Sequence, residues 1–350
     1  MKKLSKNNVW MLIAFAVAVI LPNTTKSSSV LQIMVVTMMY AFFTTAWNIS
    51  GGYAGQLGLG NGVYIGIGAY ITGILFNELH VSPWFGLLAG GVFAAIISLG
   101  MGSFTFKLQG TYYSLATVAL LAILRIFLNE NRYIMGWDFG GPAGLKTKWL
   151  GVSFQNMQFM DKRIYYYIAL GFLMISLLAC WHTSRSKSGY YFRAIDTNQE
   201  AAASLGVNVM QYKLQAQFIS ALLMGMGGGF YVAFYQFIDT ETMFNFELSF
   251  QTMLMAVIGG RATVFGPAVA ACLLIPFNEL LRRYFGTALP GLPMLLYGLI
   301  LMATIQFMPQ GVIPFISEKL ERRKAGERAR LPINGPEPGA ETKGEANTDE

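Results

Sequence analysis

Nine apolar windows recur along this chain, at residues 9–22, 30–49, 57–79, 84–106, 111–128, 164–181, 214–238, 251–281 and 291–308, and they fix what it can become. A helix needs about 20 residues to cross the hydrocarbon of a bilayer, and most of the windows are that long. Composition agrees. Of the 350 residues 54% are hydrophobic and 12% charged, against roughly 25% charged in a soluble domain, so too little polar surface exists to face water. The expected fold class is an all-α polytopic membrane protein in the lipid bilayer, with about eight to ten transmembrane helices. A disulfide-stapled secreted domain is excluded, because Cys180 and Cys272 are the only cysteines and both sit in apolar runs. His80 and His182, the two histidines, leave little for a His-based metal site. The net charge of +7 comes from bases beside apolar segments. That is a pattern of membrane orientation and not of nucleic-acid binding.

Lys2, Lys3 and Lys6 precede the first window, which is read as a retained helix because no small-x-small cleavage site follows Leu21. These lysines place the N-terminus in the cytoplasm. Six spans later, the loop of residues 182–213, with Arg185, Lys187, Arg193 and Lys213, falls on the same side, as does the tail with Arg322, Arg323, Lys324, Arg328 and Arg330. The loop of residues 239–250 carries Asp239, Glu241 and Glu247 without a base and belongs outside. By parity so does the loop of residues 129–163, although it holds Arg132, Lys146, Lys148, Lys162 and Arg163. Window 251–281 as one straight helix would measure about 46 Å, against a hydrocarbon core of about 30 Å. It must therefore form a broken or re-entrant helical hairpin, turning at Gly259-Gly260-Arg261-Ala262-Thr263-Val264-Phe265-Gly266-Pro267, with both ends outward. Residues 1–330 read as one transmembrane domain with a cytoplasmic loop at 182–213, and the Pro-, Gly- and Glu-rich residues 331–350 as a disordered cytoplasmic tail.

Glycines and isolated polar residues mark the informative segments. Gly58, Gly62 and Gly66 repeat every four residues, a smooth stripe if the third window is one helix. Upstream, Gly51, Gly52 and Gly55 surround Tyr53 and precede Gln56; each glycine costs a helix about 1 kcal/mol relative to alanine, so this entry is expected to unwind or pack closely. Asn61 either lines a path or bridges two helices. Thr197-Asn198-Gln199-Glu200 matches a capping box, with Thr197 as the cap and Glu200 reaching back. A short helix through Ala201, Ala202, Ala203, Ser204 and Leu205 should follow and stop at Gly206. Under three turns long, it needs a surface to dock on, and Arg193 and Asp196 flank it with charge. Arg125 either snorkels or pairs with Glu130, and Glu279 with Arg282 and Arg283 suits an outer boundary. No P-loop, proton-relay series or acid–base–nucleophile set is present. If the chain takes part in active transport, a separate subunit must supply the energy.

At these residues the chain resembles a known family. Glu200-Ala201-Ala202-Ala203-Ser204-Leu205-Gly206 matches the EAA-x-x-x-G pattern of ABC importer permeases, and its flanks are similar to the branched-chain amino-acid permease group of LivM type. Gly52-Tyr53-Ala54-Gly55-Gln56-Leu57-Gly58-Leu59-Gly60 resembles that group's GYAGQ-x-SLG element. Further matches fall at Gly110–Thr117, Gly140–Leu145 and Ile258-Gly259-Gly260 with Gly266-Pro267, so the likeness spans about residues 30–310. It implies a multi-pass permease of the bacterial inner membrane, with both termini cytoplasmic. The implied partners are a second permease subunit, two ABC ATPase subunits that bind ATP and Mg, and a periplasmic substrate-binding protein. No cofactor is expected in this chain, and no catalysis. Arg193, Asp196, Glu200, Ala201, Ala202 and Gly206 would couple to the ATPases. The translocation path or helix packing would use Gly52, Gly55, Gln56, Gly58, Asn61, Gly62, Gly66, Gly259, Gly260 and Gly266. Gly58 stands in place of Ser, Asn61 where His is common, and Arg261-Ala262 varies the glycine turn, which echoes urea-type relatives. Import of leucine, isoleucine, valine or similar amino acids is the reading this implies. Import of urea, short amides or another small solute, and a stand-alone secondary transporter, are the alternatives.

Overall fold

A computed structural model describes residues 17–285 except 109 and 135, with scattered positions between 291 and 315. The protein is helical: α1 Ser28–Trp47, α2 Gly62–Leu79, α3 Pro83–Thr105, α4 Thr111–Glu130, α5 Lys162–Arg185, α6 Lys187–Thr197, α7 Gln199–Ser204, α8 Val209–Tyr235, α9 Thr240–Met243, α10 Phe246–Gly259 and α11 Gly266–Phe285. Among the described residues, α1 with its extension to Tyr53, α2, α3, α4, α5 and α8 are long and apolar enough to cross a membrane. Most of window 9–22, most of window 291–308, the basic tail and residues 331–350 lie outside the described residues.

Close backbone approach organises the bundle. Helix α8 packs on α2 and α3, and α1 packs on α5 and α11. A methyl group on Gly68 would stand 1.9 Å from the Gly225 carbonyl oxygen, and one on Gly228 would stand 1.9 Å from that of Ile65. With no Cβ in the way, α2 and α8 cross nearly backbone to backbone, gaining dispersion contacts that lipid-facing side chains cannot supply. Around this crossing Trp47, Tyr70, Phe42, Phe43 and Phe230 are fully buried.

Three expectations about the spans need correction. The third window is not one helix, because α2 begins only at Gly62, level with Leu121 halfway along α4. Gly58 therefore lies off any helical stripe; its neighbour is the Tyr113 hydroxyl, while Gly62 and Gly66 abut the Met243 carbonyl and the Phe244 ring. The glycine-rich entry winds only as a π-helical turn as far as Tyr53 and then unwinds, with Gly55 at φ 69°. Arg125, third, pairs not with Glu130 but with Glu241 at the start of α9, its guanidinium 3.5 Å from that carboxylate.

At the end of the bundle opposite the loop 182–213, residues 129–163 fold over the spans. β1 (Tyr133–Ile134) pairs antiparallel with β2 (Trp137–Asp138), and β3 (Leu145–Lys146) with β4 (Phe237–Ile238) after α8. Four of the five bases that conflict with the charge rule are tied down there, Lys162 by donating to the Gln32 side chain. Arg132 meets Asp138 at 3.2 Å, Lys148 donates to the Asn77 carbonyl, and Arg163 to that of Thr25. The Arg132 pair holds the Asp138 carboxyl below its ordinary range.

Gly68→Val should prevent the α2–α8 crossing from closing. Overpacking of this kind costs about 3 kcal/mol, read as loss of the monodisperse peak on size exclusion in detergent and a lower unfolding temperature, whereas Gly171→Val, with open space at its Cβ position, should leave both unchanged.

Candidate functional site

Two interruptions of helix meet at one end of the bundle. Helix α1 continues from Asn48 to Tyr53 as a π-helical turn, and α10 and α11 are separated by residues 260–265, where the sequence places a hairpin turn. Gly260 at φ 111° allows this reversal, and Ala262 follows at φ 56°, a conformation that costs a residue with a Cβ about 1–2 kcal/mol. Asn48, fully buried, joins the two breaks. Its side-chain carbonyl accepts from the Ala262 amide at 3.1 Å, and its amide donates to the Thr263 carbonyl at 2.8 Å. Thr263 donates to the Gly260 carbonyl and accepts from the Gly266 amide, closing the turn. Gly52 and Gly259 permit this fit: a Cβ on Gly52 would strike the Asn48 side chain, and one on Gly259 the Gly266 backbone.

Residues 54–61 run unwound along the first half of α4. The Leu57 carbonyl accepts from the Ser114 hydroxyl at 2.6 Å, the Leu59 amide donates to Thr117 at 3.0 Å, and the Gly58 carbonyl accepts from the Trp47 indole at 3.1 Å. Asn61 and Gln56, both buried, spend their amides on the carbonyls of Gly58 and Ala54. Asn61 thus stitches its own strand of chain. The Gly62 amide, first of α2, donates to the Ser249 hydroxyl of α10 at 2.8 Å. Every one of these bonds satisfies backbone that a helix would have satisfied by itself.

Against this junction folds the loop between α5 and α8. Ser186, Asn198 and Asn208 cap α6, α7 and α8, each side chain accepting from a first-turn amide; such a cap is worth about 1 kcal/mol. The cap of α7 is Asn198 and not Thr197, which instead donates back to the Arg193 carbonyl. Gly206 ends the segment at φ 84°, as expected. Ala202 faces inward and is buried, while Glu200, Ala201, Ala203 and Leu205 face out, Leu205 at 86% exposure. Arg193 and Asp196 do not flank this helix as free charges. Arg193 stacks over Tyr53 and Tyr190, each centroid 5.7 Å away, and donates to the Ser184 carbonyl. Asp196 lies against Gly55 and pairs with Arg261 of the hairpin turn at 3.0 Å. Burial pushes the Asp196 carboxyl above its ordinary range, outweighing the pull of Arg261.

The structure thus brings together Gly52, Gly55, Gln56, Arg193, Asp196, Gly259, Gly260 and Gly266, and leaves Gly62 and Gly66 deeper in the bundle. Asn48 and the pairing role of Arg261 are absent from the sequence-derived set. An amide alone in an apolar run was the available signal for Asn48, as it was for Asn61.

Unwound segments braced inside a helical bundle, with a short outward-facing helix at one end, define a helical transport permease. Residues 29–305 match the family described as the permease component of the branched-chain amino acid transport system, and the chain belongs to it. It is a permease component of an ABC importer, a multi-pass membrane protein that acts in transport and not as a catalyst. The high-affinity branched-chain amino acid transport permease LivM of Escherichia coli (strain K12) is 28% identical over 87% of this chain and 75% of its own length. Its counterpart in Salmonella typhimurium (strain LT2) is 27% identical over 93% and 80%. A nucleoside ABC transporter permease, NupC of Lactococcus lactis subsp. cremoris, is 25% identical over 57% and 67%. No solved structure matches.

Removing the Asp196–Arg261 pair should cost little stability, since both side chains are about a third exposed. A double-mutant cycle of Asp196→Asn and Arg261→Ala should give a coupling of about 1 kcal/mol or less, falling as salt rises; a salt-independent coupling several times larger would contradict this geometry.

Proposed function

We propose that this chain is the translocating subunit of an ATP-driven importer of branched-chain or similar apolar amino acids. The end bearing α6 and α7 faces the cytoplasm, and both termini lie on that side. The observation that carries the reading is α7: a capped helix, too short to be stable alone, fastened inward by Ala202 and by the Asp196–Arg261 pair beside it, with Glu200, Ala201, Ala203 and Leu205 turned to solvent. An isolated leucine of that exposure on a fixed platform suits insertion into a groove on a partner. Two ATPase subunits, which bind ATP and Mg, would receive this helix and its equivalent on a second permease subunit. A periplasmic binding protein would deliver the solute at the opposite end. Closure of the ATPases would then pull α7, and with it the hairpin turn, between two states.

The solute class is favoured by two relatives named for branched-chain amino acids, which align over most of this chain. A relative named for autoinducer import and others named for nucleosides align over shorter stretches. Affinity purification of the tagged chain should recover two ATPases and a second permease, and the complex in vesicles should take up leucine when given ATP and its binding protein. Leu205→Asp should abolish ATPase recovery, and Glu200→Ala should lower uptake about tenfold, both with normal membrane levels. ATP-independent uptake by the chain alone would favour a secondary transporter instead.

A further inference from the structure

A cavity of about 260 Å³ lies between the unwound segment, α6–α7 and the first turns of α8. It is just below the size of pockets for drug-sized ligands, about 300–1,000 Å³. Its lining has two characters. Leu57, Leu108 and Ile195 form an apolar side, and Lys213 of α8, with Gln56, Asp196, Thr197, Asn198 and Gln199, forms the polar one. Lys213 is 4% exposed, and its ammonium donates to the Gln199 side chain at 2.7 Å. Its other contact is the Phe106 ring, 5.9 Å from the ammonium, so one neutral acceptor and one ring face serve a group with three donors and a full charge. Among the described residues no carboxylate lies within ion-pair distance of it, because the acid in the lining, Asp196, is paired with Arg261. A buried cation so poorly compensated costs free energy unless an anion or further acceptors reach it.

We infer that this cavity is a binding site for a short aliphatic carboxylate, its anion held by Lys213 and its chain laid against Leu57, Leu108 and Ile195. Occupied, the site bridges the loop, the unwound segment and α8, so a ligand bound there ties the α7 platform to the spans. The inference goes beyond the transport reading and does not depend on which solute is carried. An aliphatic amino acid reaching this end of the bundle has the required chemistry.

The test is equilibrium binding of labelled isovalerate to the purified full-length chain in its assembly, in detergent and without binding protein. Saturable binding is expected, competed by leucine and not by leucinamide, which lacks the carboxylate. Lys213→Gln should weaken it about tenfold or more, and Lys213→Arg should retain it within a few-fold. Should Lys213→Gln not fold, isovalerate should still slow acylation of Lys213 in the wild-type chain, with leucinamide without effect. Absence of saturable binding, equal competition by leucinamide, or no protection of Lys213 would each overturn the inference. So would protection of Lys213 by ATPase assembly alone, which would assign its anion to a partner's side chain. Isovalerate binding by a chain that transports something other than amino acids would refute the substrate reading and leave this one intact.

Discussion

Backbone hydrogen bonding inside an apolar bundle is the constraint on which the rest of the structure depends. A helix that breaks there exposes amides and carbonyls that water cannot reach, each costing several kcal/mol if left alone. This chain breaks helix at residues 54–61 and 260–265, and two side chains, Asn48 and Thr263, repair the second break, Asn48 from a helix that itself gives way to the π-helical turn next door. The first break is repaired by Ser114, Thr117, Trp47, Asn61 and Ser249. These polar groups form no catalytic constellation. They allow non-helical backbone to persist inside the bundle.

The same arrangement explains how a surface loop can act on the interior. Helix α7 has too few turns to transmit force by its own rigidity, yet its N-terminal neighbour α6 is tied to the hairpin turn through Asp196 and Arg261, and to Tyr53 at the end of the π-helical turn through Arg193. The pair is half-exposed and contributes little to stability. Its role is positional: a path of direct contacts runs from α6, beside α7, to the hairpin turn, and from there to Asn48 and the base of α1.

Much of this was legible in the sequence. Apolar runs marked the spans, and the length of window 251–281 forced a break that falls where Gly259 and Gly266 bound it. Gly206 stopped the short helix as its conformational freedom required. Periodicity misled at Gly58, because a four-residue spacing says nothing about whether the backbone winds, and the density of glycines upstream outweighed it. The capping box erred by one residue, since Asn198 and Thr197 are both good caps and Thr197 is instead the last residue of α6, its hydroxyl bonded back one turn to the Arg193 carbonyl. Pairings such as Arg125 with Glu241 and Asp196 with Arg261 join residues far apart in the chain. No local pattern encodes them.

The central claim is that α7 and the hairpin turn move as one body. Spin labels at Ala203 and Phe265, both exposed, in the assembled transporter allow their separation to be measured by pulsed electron resonance with and without ATP. A distance unchanged between nucleotide states, while labels at Ala203 and Leu79 across the bundle shift, is the result this account predicts. A change between Ala203 and Phe265 of about 5 Å, one helical turn, would contradict it.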